Sequence, residues 1–355
     1  MIRTAFCLVL GLLFGSPLSA TEAPVEDFLQ RPAITVTDPE RAVLIDVTRA
    51  GQRLVAVGAH GLIIVSDDDG RSWHQVPVPV SVTLTAVDFP TPSQGWAVGH
   101  AGSVLHSSDG GDSWHLQLDG ETAAQRVLDA VPAESAEDPA QRRLRRVAER
   151  FVQDGADKPL LAVHFSDARH GIVAGAFGLI LHTADGGETW HSWVDRVDNP
   201  EGYHLYALAG QGSRIYMAGE QGSLFASDDN GGSFHRLQTP YEGSYFALQP
   251  GGNGDLLLAG LRGNAWRLAD QGHQWQRLNS DAQGTLVAAY RLADGQDLLA
   301  EQNGRLLQVD NPGARLQLLP QAAGVPVSAL AQAGDGGLVV VGSRGVKRLG
   351  GSDDQ

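Results

Sequence analysis

Val98-Gly99-His100-Ala101-Gly102-Ser103-Val104-Leu105-His106-Ser107-Ser108-Asp109-Gly110-Gly111-Asp112-Ser113-Trp114 holds both patterns that decide the fold of this chain. Its first half is a short apolar run entering Gly-x-x-Gly, and its second half is an acidic, glycine-rich turn closing on a tryptophan. The first pattern recurs. Its leading glycine falls at 58, 99, 175, 219, 260 and 342, and a further copy carries Glu301 in that place but keeps the second glycine as Gly304. The seven positions are 41, 76, 44, 41, 41 and 41 residues apart, so one period of about 41 is broken by a single excess of 35.

Each period contains four short apolar runs between glycine turns, which are strand signals with no helical period. In the second unit they are 84–89, 95–99, 103–107 and 114–118. A four-stranded unit of about 40 residues is the repeat of a propeller blade, which buries both faces only when neighbours stack and the ring closes. The expected fold is therefore all-β, a seven-bladed propeller over residues 33–350. The last unit supplies only three strands, and the segment 33–37 is expected to add the fourth and clasp the ring.

The second pattern, Ser/Thr-x-Asp-x-Gly-x-Ser/Thr-aromatic, is the Asp-box. It holds Asp68, Gly70 and Trp73 in the first blade, and Asp109, Gly111 and Trp114 in the second. Asp185, Gly187 and Trp190 follow in the third, and Asp229, Gly231 and Phe234 in the fourth. The expected chemistry is local: the aspartate accepts the turn's own N–H groups, the glycine supplies a positive φ, and the aromatic anchors the hairpin between blades. Residues 268–275 keep only Asp270, Gly272 and Trp275 of it. As a calcium loop the motif fails, because Asp67, Asp68 and Asp69 are consecutive rather than alternating. As a catalytic pair it fails too, because boxes on successive outer rims lie too far apart for two carboxylates to flank one glycosidic bond.

Composition narrows the function classes. The net charge is −15, which opposes a nucleic-acid backbone as main partner. Glycine, at 44 of 355 residues, is in excess without a Gly-X-Y period. Residues 1–20 have the form of an export signal, with Arg3, an apolar run from Ala5 to Gly15, and Ser19-Ala20 at the exit. That run is too short to span a bilayer. Cleavage there removes Cys7 and leaves a cysteine-free, exported and most simply periplasmic chain, with no transmembrane segment, a linker over 21–32 and a tail over 351–355. No Ser-His-Asp order, phosphate loop or Cys-x-x-Cys is present, and no cofactor or metal is expected. His74, His115, His191 and His235 recur once per blade on an outer strand, where they cannot converge on one ion.

The excess of 35 residues in the spacing falls in an insertion over 121–159. Val127, Leu128 and Val131 give one short helical stripe, and Leu144, Val147, Ala148 and Phe151 a second. Arg142, Arg143, Arg145, Arg146 and Arg150 reverse the sign of the chain locally. Two readings stand: solvated arginines behind a packed stripe, or a docking element for an acidic partner or lipid head groups. The candidate interface is these five arginines with His106 and His182, matched positions on consecutive blades.

Asp-boxes in a ring of blades resemble the bacterial-neuraminidase-repeat propellers. The phrases 100–111 and 178–187, with seven blades and an export signal, narrow the resemblance to the photosystem II stability and assembly factor family, over roughly residues 40–350. The resemblance implies a non-catalytic scaffold that acts as a monomer on a membrane or envelope protein complex; a transporter is one candidate partner. In photosynthetic members an arginine commonly precedes the Ser/Thr of the box and forms a client patch, whereas here that position holds Val65, His106, His182 and Ala226. The alternative is a glycan-binding or sialidase-like propeller, which requires carboxylates and convergent arginines in a central pocket.

Overall fold

The computed structural model describes residues 27–132, 138–251, 254–269, 274–310, 314–320 and 322–350. The export signal expected over 1–20, most of the linker and the tail 351–355 lie outside them, as do Asp270 and Gly272.

Seven antiparallel sheets follow one another in chain order. Blade 1 is β1 (Leu44–Ala50), β2 (Arg53–Gly58), β3 (Ile63–Ser66) and β4 (His74–Gln75), and blade 2 is β5 (Leu84–Asp88), β6 (Gly95–Gly99), β7 (Val104–Ser107) and β8 (His115–Leu118). Then come helices α1 (Gly120–Asp129) and α2 (Pro139–Asp154). Blade 3 is β9 (Leu160–Phe165), β10 (Gly171–Gly175), β11 (Ile180–Thr183) and β12 (His191–Ser192), and blade 4 is β13 (Leu205–Gln211), β14 (Arg214–Gly219), β15 (Leu224–Ser227) and β16 (His235–Arg236). Blade 5 is β17 (Tyr245–Pro250), β18 (Leu256–Gly260), β19 (Ala265–Ala269) and β20 (Gln274–Arg277), and blade 6 is β21 (Leu286–Arg291), β22 (Asp297–Glu301), β23 (Leu306–Asp310) and β24 (Arg315–Leu318). Blade 7 has β25 (Ala329–Gln332), β26 (Leu338–Gly342) and β27 (Gly345–Leu349).

Blade 7 has three strands, so the expectation that residues 33–37 would add its fourth is corrected. That segment lies instead along the outer strand of blade 1. There the Gln75 side chain accepts from the Val36 amide at 2.8 Å and donates to the Ile34 carbonyl at 2.9 Å. One side-chain amide thus takes both backbone groups that a ladder would have used. Val36 packs with Trp73 and Val346 across the seam between blades 1 and 7. The ring closes by packing, with Leu44, Val47 and Leu54 of blade 1 against Ala329, Ala331, Val339 and Val341 of blade 7. Arg348 and Arg71, both paired with Asp335, cover that seam.

The repeated glycines follow from close approach. A Cβ on Gly58, Gly99, Gly175, Gly219, Gly260 or Gly342 would stand 2.0 to 2.2 Å from the carbonyl that precedes the blade's innermost strand. In five of these six copies, and also after Glu301, the next residue's amide donates to that carbonyl, as Glu220 does to His204 at 3.1 Å, so the turn cannot move away. At Glu301 the pattern changes: its carboxylate accepts from the Gly284 amide and faces Arg305 at 3.4 Å.

Candidate functional site

At the end of the ring opposite these glycine turns, the Asp-boxes close the blades. In blade 2, Asp109 accepts from the Ser107 hydroxyl at 2.8 Å, the Ser113 amide at 3.0 Å and the Ser113 hydroxyl at 2.5 Å. Ser107 Oγ in turn accepts from the Gly111 amide at 2.8 Å, and Trp114 Nε1 donates to the Gly111 carbonyl at 3.1 Å. Asp68, Asp185 and Asp229 repeat the carboxylate pattern. Gly70, Gly111, Gly187 and Gly231 have φ of 81°, 94°, 87° and 85°. Partial desolvation would raise the Asp109 carboxyl, but the bonds from Ser113 and Ser107 outweigh it and hold it down to about 2. Trp73, Trp114, Trp190 and Phe234 each pack into the seam with the preceding blade.

His106 and His182 lie at this box end, half-buried. His106 is in register with His115, stacks on Trp96 with centroids 4.6 Å apart, and meets Gln94 Oε1 through Nε2 at 2.8 Å. His182 is in register with His191 and stacks on Trp193 at 3.9 Å and 7°. Burial pushes both imidazoles down to about 4. Sequence reasoning found both rows of histidines but not this cross-strand pairing. The structure therefore separates the two histidines from the arginine helix. Val65 and Ala226, the matching residues of blades 1 and 4, are buried. The position just before the Ser/Thr of the box, where the resemblance implies an arginine, is here a position of the packed seam.

The inserted helices lie at the glycine-turn end. Asp119 caps α1 by accepting from the Thr122 amide at 2.8 Å, and Gly102 of the blade 2 turn abuts Gly120. Asp138 caps α2 by accepting from the Ala140 amide at 2.9 Å. Ala123, Ala124, Val127 and Val131 join Ala148 and Phe151 of α2 in one cluster with Trp96, Leu160 and Trp190, and Leu144 and Val147 pack against it. Burying Phe151 alone stabilises this attachment by about 2 kcal/mol. On the other side of α2, Arg142, Arg143, Arg146 and Arg150 are exposed. Arg143 reaches Glu201 at 3.4 Å, Arg145 pairs with Glu149 at 2.8 Å, and Arg150 approaches Asp154 at 3.5 Å. These exposed pairs are weak and exchange readily for an outside anion.

The innermost strands enclose a central channel of about 590 Å³. In six blades a β-bulge near the start of that strand turns one residue into the channel mouth: Ile45, Thr85, Leu161, Tyr206, Phe246 and Val287. One step further along stand Ala86, Ala162, Ala207, Ala247, Ala288 and Ala329, with Asp46 in the same place in blade 1. Asp46 accepts from the Val87 amide of blade 2 at 2.9 Å, and Asp88 from the Phe165 amide of blade 3 at 2.7 Å. Enclosure pushes the Asp46 carboxyl up to about 6. Among the described residues no arginine lines the channel, and no group of three His, Cys, Asp or Glu side chains is placed to hold a metal ion. No helix among them is long and apolar enough to cross a membrane.

A seven-bladed ring whose blades are closed by Asp-boxes is the architecture of a propeller of the photosystem-assembly type. The chain belongs to the family described as photosynthesis system II assembly factor YCF48, whose model matches residues 65–138 and 145–345. The photosystem II assembly lipoprotein Ycf48 of Synechococcus sp. (strain CC9902) is 32% identical over 77 residues, which span 22% of this chain and 23% of that relative's length. The fold is also that of a solved YCF48 bound to a D1 peptide, at 16% identity and a TM-score of 0.63 over 91% of this chain and 100% of that one. A streptogramin B lyase shares it at 11% identity and a TM-score of 0.65, over 92% and 100% of the two chains.

Proposed function

We propose that this chain is an exported, monomeric, non-catalytic assembly or accessory factor that holds a protein segment of a membrane or envelope complex on the face carrying α2. The observation that carries the reading is the fixed display of Arg142, Arg143, Arg146 and Arg150 at the surface of an otherwise acidic family member, on a helix locked to the ring through Ala148 and Phe151. The relatives support it: one is an assembly lipoprotein of photosystem II, and one was solved with a D1 peptide. A preformed ring offers a surface that needs no reordering on binding, and guanidinium groups recognise carboxylates bidentately. The sialidase-like alternative gains no support from the channel, whose two lining aspartates are engaged with backbone amides of the next blade.

The test is affinity co-purification from membranes of the native host, comparing the intact chain with the Arg142→Glu, Arg143→Glu, Arg145→Glu, Arg146→Glu variant. One membrane complex recovered by the intact chain and lost with the variant is the expected result. Equal recovery moves the interface off α2, and no recovery by the intact chain removes the assembly reading. Fractionation of the host and N-terminal sequencing of the mature chain test the export that places it there.

A further inference from the structure

One continuous strip of side chains joins α2 to the channel mouth. Phe177, in the glycine turn of blade 3, is 47% exposed although it is a large apolar side chain, and its backbone is left-handed at φ 57°. The left-handed conformation belongs to the repeated turn, which places His60, Ala101, Gln221 and Arg262 the same way in other blades, and in blade 3 it turns a large apolar ring outward. The Phe177 ring lies 5.3 Å from Lys158 Nζ, where the insertion returns to the propeller, and 4.9 Å from the His204 ring. His204 stands 6.1 Å from Tyr206, and Tyr206 stands 4.9 Å from Phe246.

The middle of the strip is held in place. Glu220 accepts from His204 Nδ1 at 2.8 Å, from the His204 amide at 2.9 Å and from the Tyr206 hydroxyl at 3.1 Å. At its inner end Tyr206 and Phe246 share the mouth with Ile45, Leu161 and Val287, above a tier of alanines that leaves the channel open. At its outer end Gly202 packs on the Phe177 backbone, and Glu201 beside it is the residue that Arg143 of α2 reaches. The strip is thus apolar and aromatic at one end and cationic at the other.

We propose that the partner is held as an extended polypeptide segment lying along this strip. One apolar or aromatic side chain of the segment enters the channel mouth against Tyr206 and Phe246, the backbone crosses Phe177, and an acidic residue meets Arg142, Arg143 and Arg146. This rests on the partner-binding reading above and names the chemistry of the segment. The ring-to-ring steps from Phe246 to Phe177 total at most about 16 Å, about five residues of extended chain. Aromatic anchors seated in a desolvated pocket carry most of the energy of such contacts, and rim charges set orientation.

The experiment pans a phage-displayed library of random 12-residue peptides on the intact mature chain, then measures synthetic peptides from the enriched clones on Phe177→Ser and on Phe177→Ser with Phe246→Ser. The expected consensus pairs an aromatic or aliphatic residue with an aspartate or glutamate more than about five positions away, since the strip runs that far before it passes Phe177 toward the arginines. Its peptides are expected to lose about tenfold in affinity on Phe177→Ser and more on the double variant. Phe177 is exposed, so the single variant keeps the fold, and circular dichroism of both variants checks it. No enrichment, or peptides that bind all three chains equally, overturns the strip. Membrane co-purification run in parallel separates the two claims. A complex captured equally by the intact chain and by Phe177→Ser overturns the strip and leaves the assembly reading standing. Capture by neither chain, with the peptides behaving as expected, removes the assembly reading instead.

Discussion

His106 stacks on Trp96 with centroids 4.6 Å apart and planes 23° from parallel, and the far face of the same indole lies 3.6 Å from Phe165 of the next blade. A histidine in such a stack is kept neutral because burial disfavours the cation. With its folded value at about 4, below the ordinary histidine value, the contribution of His106 to stability is present above pH 6.5 and is lost as pH falls from there toward 4. His182 on Trp193 acts in the same window. Proton NMR of the two imidazoles is expected to give midpoints near 4, and urea midpoints are expected to fall from pH 7 to pH 5. His106→Phe and His182→Phe are each expected to flatten that slope; an unchanged slope in both single variants rules the stacks out as its source.

Asp46 acts with the opposite sign. Its carboxyl is raised to about 6 by enclosure, so ionising it opposes folding, and its cost appears as pH rises from about 4 through 6. Asp46→Asn is expected to lose that pH dependence while keeping one acceptor for the Val87 or Val47 amide. Comparing the urea midpoints of the two chains at pH 5 and pH 8 checks it: the difference between chains should shift toward the variant at pH 8.

The boxes give a second acid-sensitive element. The Asp109 carboxyl is held at about 2, below its unfolded value, so its stabilisation is present above about pH 4 and lost toward pH 2. Asp109→Ala frees the Ser113 amide and both hydroxyls of the turn, and by analogy with the loss of a helix cap it is expected to cost about 1 kcal/mol. Asp109→Asn keeps one acceptor and should cost less. Thermal unfolding of the pair checks the order.

Gly175→Ala tests the close-approach account. The backbone at Gly175 is extended, so no conformational penalty applies, yet the new Cβ would stand 2.2 Å from the Pro159 carbonyl. The expected loss is about 3 kcal/mol or more, a packing-strain magnitude. Gly212→Ala is the control: it has φ 61° but nothing within 4 Å, and is expected to cost only about 1 kcal/mol. Equal losses would refute the account.

Phe177→Gly separates binding from stability. Releasing the left-handed strain is worth about 1 kcal/mol, set against the lost contacts to His204 and Lys158. The melting temperature is therefore expected to change little, while affinity for a peptide that binds the strip falls about tenfold or more.

Blade number, strand order and the box turns were legible in the sequence because each rests on contacts within a few dozen residues. A glycine pressed on a carbonyl of its own blade recurs at every repeat, and an aspartate tied to a serine four residues on needs nothing from elsewhere. The amphipathic stripe of α2 was legible for the same reason, since Leu144, Val147, Ala148 and Phe151 mark one face before any partner is known. Tertiary structure alone decided the rest. Residues 33–37 have the alternation of a strand, yet they run beside Gln75 instead of joining β27, because the choice lies between two surfaces that only the closed ring brings near. His106 and His182 share a motif position but are buried by Trp96 and Trp193, each paired to them across the curvature of a blade or at its seam. Phe177, His204, Tyr206 and Phe246 come from three blades, and although Tyr206 and Phe246 share one repeat position, Phe177 and His204 stand at others. The sequence repeats each blade, while the strip exists only where consecutive blades are placed side by side, and that placement is set by the packing between them.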